Sequence, residues 1–165
     1  MTRTVAREIA VHLIYEMGFD GKNAEEFLQE ALTKETFASF AEDEPLYQEF
    51  PNEKQLNYIR ELVRGTYDHG PELDDYISRY AIGWNFSRIP RVAVAIMRAS
   101  MYEVLYMPDV PNAAAINSAV EIAKGYVDPE VVSFINGILG SFVRTEFPEM
   151  SEGKTDEEKP GEQEV

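Results

Sequence analysis

The side chains whose types and spacing could carry chemistry in this sequence are arginines, which could bind an anion. Arg3 and Arg7 are one helical turn apart near the N-terminus, and Arg91 and Arg98 are seven residues apart, so each pair shares one side of a helix. A cation at the start of a helix opposes the helix dipole at a cost of about 0.3–1 kcal/mol, which an anionic partner would offset. The simpler alternative for Arg3 and Arg7 is that they are solvated or paired with nearby acids.

Sequence signals for catalysis are missing. The chain has no cysteine, which excludes disulfides, thiol nucleophiles and cysteine metal sites. It has no phosphate-binding loop, G-x-S-x-G elbow, dinucleotide fingerprint or H-E-x-x-H sequence. His12 and His69 lie in separate predicted helices, and adjacent carboxylates such as Asp74 and Asp75 point to different helix faces. We therefore expect no enzyme, no metal site and no cofactor.

The hydrophobic pattern predicts an all-α fold of about seven helices, because apolar residues recur three and four apart and no segment alternates as a strand does. Residues 88–106 are apolar on two faces, which indicates a central helix with neighbours on most sides, and Ser87 is its predicted N-cap. Residues 23–40 are predicted as one helix. In the last long helix Gly137 interrupts the apolar stripe, so we expect another backbone to pass close to it.

Charge and length indicate one domain over residues 1–147, followed by an acidic tail over residues 148–165 that we expect to be disordered. The net charge is −15, but residues 16–53 hold eleven acids and two lysines, and residues 149–165 hold seven acids and two lysines. These acidic segments serve solubility or, alternatively, repel RNA from the wrong surfaces. The N-terminus lacks the apolar core of a signal peptide and no apolar stretch approaches ~18 residues, so we expect a cytoplasmic protein.

The sequence resembles the NusB family of bacterial transcription antitermination factors in five segments that occur in the family's order. These segments are AREIAVHLIY, YIRELVRG, AIMRASMYEV, DVPNAAAINSAVEIAK and SFINGIL. The last two carry the family patterns I-N-x-A-V-E-x-A-K and F-[VI]-N-G-[VI]-L. Each segment alone consists chiefly of helix-packing residues, but together they span the chain from about Arg3 to Phe142.

The resemblance implies an all-helical RNA-binding protein made of two helical bundles. Members of the family pair with the ribosomal protein NusE, and the pair binds boxA RNA of ribosomal RNA leaders in the transcription elongation complex. Carried over by position, the implied RNA-binding residues are Arg3, Arg7, Arg98, Glu130 and Phe134. The implied partner-binding residues are Tyr15, Arg88 and Arg91.

The chain also departs from the family pattern. Thr4 and Val5 follow Arg3 where basic residues are common, Ser133 replaces a common lysine, and Ala93-Val94 replaces an acidic-basic pair. Fewer cations release fewer counterions, so we expect weak RNA binding without NusE. Three alternatives stay open: a protein scaffold of the same fold that has lost RNA binding, a homodimer formed through the partner surface, and a Phe134 that fills the core instead of contacting RNA.

Overall fold

The computed structural model describes residues 1–148, and the predicted acidic tail lies outside the described residues apart from its first residue. Residues 1–148 form eight α-helices and two short 3-10 turns without a strand, which confirms the predicted all-α class. None of these helices combines the length and hydropathy that crossing a bilayer requires. The chain divides into two compact units, the N-terminal one running from Met1 to Asp68 and the C-terminal one starting at His69.

The N-terminal unit contains α1 (Arg3–Asp20), α2 (Ala24–Ala31), α3 (Lys34–Ala41) and α4 (Glu53–Asp68). The side chain of Thr2 begins α1 by accepting a hydrogen bond from the Val5 N–H, and Gly21 ends it at a φ of 80°, in the left-handed region. The helices α1 and α4 pack against each other. Their facing sides supply the buried core residues Ile9, Ala10, Leu13, Ile59, Leu62 and Val63.

The single helix predicted over residues 23–40 is two helices, which is why residues 1–148 contain eight helices instead of seven. The break occurs at Leu32 and Thr33, where the Thr33 hydroxyl accepts a hydrogen bond from the Thr36 N–H at 3.1 Å and so caps α3. On α3, Phe37 is buried and packs against the rings of Tyr47 and Phe50. Burial of an aromatic ring therefore overrides the continuous helical pattern.

The C-terminal unit contains α5 (Gly70–Tyr80), α6 (Arg91–Tyr106), α7 (Asn112–Ala123) and α8 (Pro129–Glu146). As expected from its two apolar faces, α6 is central and contacts α5, α7 and α8. It buries five consecutive residues, Ala93 to Met97. On the side of α7, the hydroxyl of the buried Ser100 donates a hydrogen bond to the Ala115 carbonyl at 3.1 Å.

Two predictions about the C-terminal unit are wrong. Ser87 does not cap the central helix: it lies in the 3-10 turn Phe86–Arg88, and Pro90 holds the cap position of α6 without a side-chain hydrogen bond. No backbone of the described residues passes close to Gly137, because a Cβ atom at that position would meet none of their atoms within 4 Å. Pro90 thus immediately precedes the first residue of the central helix, a position that proline tolerates. Gly137 is an exposed glycine within α8.

Candidate nucleic-acid interface

Arg3 lies at the start of α1 with its guanidinium held over an aromatic ring. Its Cζ atom is 4.2 Å from the centroid of the Tyr58 ring, a cation–π contact from α1 to α4. The Nε atom of Arg3 is buried and has no hydrogen-bond partner among the described residues. No acidic residue lies in the first turn of α1 to neutralise this cation. Arg3 is therefore partly exposed, positioned by a ring and able to meet an anion.

Arg7, one turn further along α1, is placed very differently. Its exposed fraction is only 1%, which makes it one of the largest fully buried side chains of the chain. A buried guanidinium is stable only when its charge is compensated, and Arg7 has interaction partners within the structure. The simpler alternative of two solvated arginines therefore does not hold for Arg7. Arg3 is more accessible to a ligand than Arg7.

Tyr15 belongs to an exposed aromatic pair on α1. It is 39% exposed, and its ring lies edge-on to that of Phe19, which is 58% exposed, with 5.2 Å between the centroids. Glu16 and Asp20 follow the two rings in the sequence. Exposed apolar rings beside carboxylates suit a protein partner better than a polyanion.

Arg98, on α6 of the C-terminal unit, is paired with Asp74 on α5. The Arg98 Nε and Nη2 atoms each donate a hydrogen bond of 2.7 Å, to the Oδ1 and Oδ2 atoms of Asp74 respectively. Both side chains are about 30% exposed. Such a two-pronged pair uses one edge of the guanidinium and fixes its plane. A phosphate would have to share Arg98 with this carboxylate.

Glu130 and Phe134 lie one turn apart on α8, near its start. Glu130 is exposed, whereas Phe134 is half-buried. The Phe134 ring does not enter the core: it packs on the indole of Trp84, with centroids 4.3 Å apart and planes inclined by 38°. The buried side of α8 is formed instead by Ile135, Ile138, Leu139 and Phe142. Phe134 therefore forms part of an aromatic surface beside a carboxylate.

Trp84 is the residue that sequence reasoning missed. It is the only tryptophan of the chain, lies outside every apolar stripe, and is 39% exposed. Gly83, with a φ of 83°, forms the turn that precedes it, and the Trp84 N–H donates a hydrogen bond to the Ala81 carbonyl at 3.1 Å. A solitary tryptophan in a Gly-Trp-Asn turn is the signal that could have identified it.

Arg88 and Arg91 flank the start of the central helix, and both are exposed. Arg88 ends the 3-10 turn and, with Gly83, Trp84 and Asn85, lines an open pocket of about 350 Å³. We call this group of four residues the Trp84 pocket. Ala93 and Val94 are buried, with exposed fractions of 0% and 7%, so they belong to the core.

The structure thus assembles only part of the implied site. In the C-terminal unit, Phe134 is joined through Trp84 to the Trp84 pocket and Arg88. Arg98 forms its hydrogen bonds with Asp74 and not with these residues. In the N-terminal unit, Arg3 is accessible and Arg7 is buried.

Comparisons with known proteins give a consistent family. The model of the NusB family matches residues 4–144. The chain is 37% identical to "Transcription antitermination protein NusB" of Symbiobacterium thermophilum, over 87% of this chain and 90% of that protein. It is 36% identical to the protein of the same name from Acetivibrio thermocellus, over 89% of this chain and 92% of the relative. Among solved structures, T. maritima NusB superimposes with a TM-score of 0.70 at 27% identity, over 87% of this chain and 92% of that one.

Proposed function

The chain belongs to the NusB family, and we propose that it is a transcription antitermination factor that binds boxA RNA of ribosomal RNA leaders together with NusE. The observation that carries this proposal is the identity of 37% to a relative that is named as an antitermination protein and that the chain covers almost completely. A regulatory RNA-binding factor of this kind is not an enzyme. It would act in the cytoplasm, within the transcription elongation complex.

We assign the RNA face of the C-terminal unit to Glu130, Phe134 and Arg98. Phe134 offers part of its ring at the surface, where an unpaired base can stack. The exposed carboxylate of Glu130, one turn away, can accept a hydrogen bond from the amino group of a base. Arg98 contributes positive charge, although Asp74 already holds one edge of its guanidinium.

We assign the RNA contact of the N-terminal unit to Arg3. Its guanidinium is held over Tyr58, which leaves it little side-chain entropy to lose when a phosphate binds. Arg7, with an exposed fraction of 1%, is far less accessible to RNA than Arg3.

The partner NusE is assigned to the exposed residues Tyr15, Arg88 and Arg91. Tyr15 with Phe19 presents apolar surface, and the two arginines present charge. Because two of the implied RNA-binding arginines are engaged within the protein, much of the affinity for RNA would come from the partner. Self-association through the same apolar pair would produce a homodimer in place of the NusE complex, and no membrane is involved in either.

A second candidate is a protein scaffold of the same fold that has lost appreciable RNA binding. The engagement of Arg98 by Asp74 and the burial of Arg7 favour it, since both reduce the positive charge available to phosphates. The two candidates differ in one measurable property, which is affinity for single-stranded RNA.

The deciding experiment is a titration of labelled boxA RNA with the full chain, alone and with NusE, at several salt concentrations. A scrambled RNA of equal length is the control for sequence, and sedimentation velocity of the protein alone measures dimerisation. Tightening by about tenfold or more when NusE is present, for boxA and not for the scrambled RNA, is the expected result. Binding of NusE without any binding of RNA would establish the scaffold instead.

A further inference from the structure

We propose that the Trp84 pocket binds one unpaired nucleotide of the RNA, with the base stacked on the Trp84 indole and the adjacent phosphate held by Arg88. The proposal rests on the proposed function, because it extends the RNA face that begins at Phe134. It also assigns Arg88 to RNA in place of the contact with NusE that the proposed function gives to this residue.

Trp84 borders an open space in addition to its contact with Phe134. Phe134 packs on the indole at 4.3 Å between centroids, yet Phe134 is not among the residues that line the pocket. The open space therefore lies beside Trp84 and is not filled by Phe134. Its volume of about 350 Å³ lies within the range of ~300–1,000 Å³ that small-molecule sites occupy. An aromatic surface of this kind stacks any base and requires that the base be unpaired.

The pocket is shaped before any ligand binds. The Asn85 Oδ1 atom accepts hydrogen bonds from the Ser87 N–H at 3.0 Å and from the Ser87 hydroxyl at 2.9 Å. The Arg88 N–H donates to the Asn85 carbonyl at 2.9 Å, which closes the 3-10 turn. Together with the Gly83 turn, these bonds fix the backbone on both sides of Trp84. A preorganised backbone lowers the entropy lost on binding.

The polar groups of the pocket are available to a ligand. With the Asn85 Oδ1 atom occupied, its Nδ2 group has no acceptor among residues 1–148, and neither has the indole N–H of Trp84. Within the same residues, no carboxylate forms an ion pair with Arg88, although the chain holds 30 acids and 15 lysines and arginines. The arginine can bind a phosphate, and the two N–H groups can donate hydrogen bonds to acceptor atoms of a base. The aromatic ring of Trp84 can stack on the ring of that base.

Trp84 is itself the reporter that tests the proposal, because it is the only tryptophan of the chain. The full-length protein alone is titrated at low salt with a single-stranded boxA RNA that carries a label. The anisotropy of the label measures binding, and the tryptophan emission measures stacking in the same sample. We expect the emission to be quenched in proportion to the bound fraction.

Variants then test whether the pocket contributes to affinity. Trp84→Ala should weaken RNA binding by about tenfold, and Trp84→Tyr should restore most of the loss because a ring is still present. Arg88→Ala should lower the slope of log affinity against log salt by about 0.7, the value for one phosphate contact on a single strand. The matched controls are Tyr67→Ala and Arg64→Ala, which remove an exposed ring and an exposed cation of the N-terminal unit. Circular dichroism confirms that each variant is folded.

The outcomes separate this proposal from the proposed function. If RNA binds while the tryptophan emission and the affinity of Trp84→Ala stay unchanged, the nucleotide pocket is refuted and the antitermination function is not. If NusE, and not RNA, loses affinity for Trp84→Ala and Arg88→Ala, the pocket is a protein-docking surface and the proposal fails. If the protein binds no RNA with or without NusE, both proposals fail together.

Discussion

Arg98 and Asp74 are joined by two hydrogen bonds of 2.7 Å, which link α6 to α5 within the C-terminal unit. A carboxylate therefore occupies the guanidinium edge that a phosphate prefers. The pair is about 30% exposed, so RNA can reach it but must compete with Asp74. Whether Arg98 serves RNA or the fold depends on this competition.

Asp74→Asn should release Arg98 for RNA. We expect affinity for boxA RNA to rise several-fold at low salt, with a slope of log affinity against log salt steeper by up to about 0.7. The free energy of unfolding should fall by about 1 kcal/mol, since the pair is still about 30% exposed. The control is Asp75→Asn, because the neighbouring Asp75 pairs with Arg79 in a much more exposed position. Unchanged RNA affinity of Asp74→Asn would mean that Arg98 serves only the fold.

Phe134→Ala and Ile135→Ala should separate RNA binding from stability. Ile135 is completely buried, so its truncation should cost about 2–5 kcal/mol of unfolding free energy. Phe134 is half-exposed against Trp84, so its truncation should cost less stability and weaken RNA binding by about tenfold. Urea denaturation and RNA titration of both variants measure the two effects. A larger stability loss for Phe134→Ala than for Ile135→Ala would make Phe134 a core residue.

Arg3→Ala and Arg7→Met should also differ, although the residues are one turn apart. Arg7 is buried, so its replacement should lower the unfolding free energy by more than about 2 kcal/mol. Arg3→Ala loses a contact with the Tyr58 ring that is worth about 0.5–1 kcal/mol, but it should weaken RNA binding and make it less dependent on salt. Thermal unfolding and salt-dependent RNA titration test both residues. Equal RNA affinity of Arg3→Ala and wild type would remove Arg3 from the RNA face.

Gly137→Ala should stabilise the protein by about 0.5–1 kcal/mol, because a helical glycine is replaced where a Cβ atom meets no atom of residues 1–148 within 4 Å. Gly21→Ala is the opposite control. Gly21 has a φ of 80°, so alanine there should destabilise by about 1 kcal/mol or more. Urea denaturation measures the change in the free energy of unfolding of the two variants, which should be positive for Gly137→Ala and negative for Gly21→Ala. A loss of stability in Gly137→Ala would contradict the open surroundings of this position.

Tyr106 should make stability depend on alkaline pH. Its hydroxyl donates a hydrogen bond to the Glu72 carboxylate, and this bond raises the pKa of Tyr106 from 10.0 to about 12. Because the folded protein holds the phenolic proton more tightly than the unfolded chain, the stabilisation is present below about pH 10 and is lost as the pH rises towards 12. Unfolding free energies of wild type and Tyr106→Phe should therefore converge over this interval.

The sequence by itself determined the fold class, most of the helices and the family. Apolar spacing of three and four residues sets which side of a helix is buried, and Pro129 and Pro90 mark where α8 and α6 begin. These signals depend only on residues that are close in the sequence, so they can be recognised without the tertiary structure. Local spacing did not reveal the break between α2 and α3, which were predicted as one helix. The burial of Phe37 depends on Tyr47 and Phe50, and both lie beyond the predicted helix.

Only the tertiary structure decided what each candidate side chain contacts. Phe134 and Ile135 belong to the same apolar stripe, yet one meets Trp84 at the surface and the other lies in the core. Asp74 reaches Arg98 across 24 residues of sequence, and no spacing rule predicts that pair. Helical periodicity states which residues share a face, whereas the neighbouring helices and turns decide how much of that face is covered. That is why the accessibility of Arg3, Arg7 and Phe134 became visible only when the chain was folded.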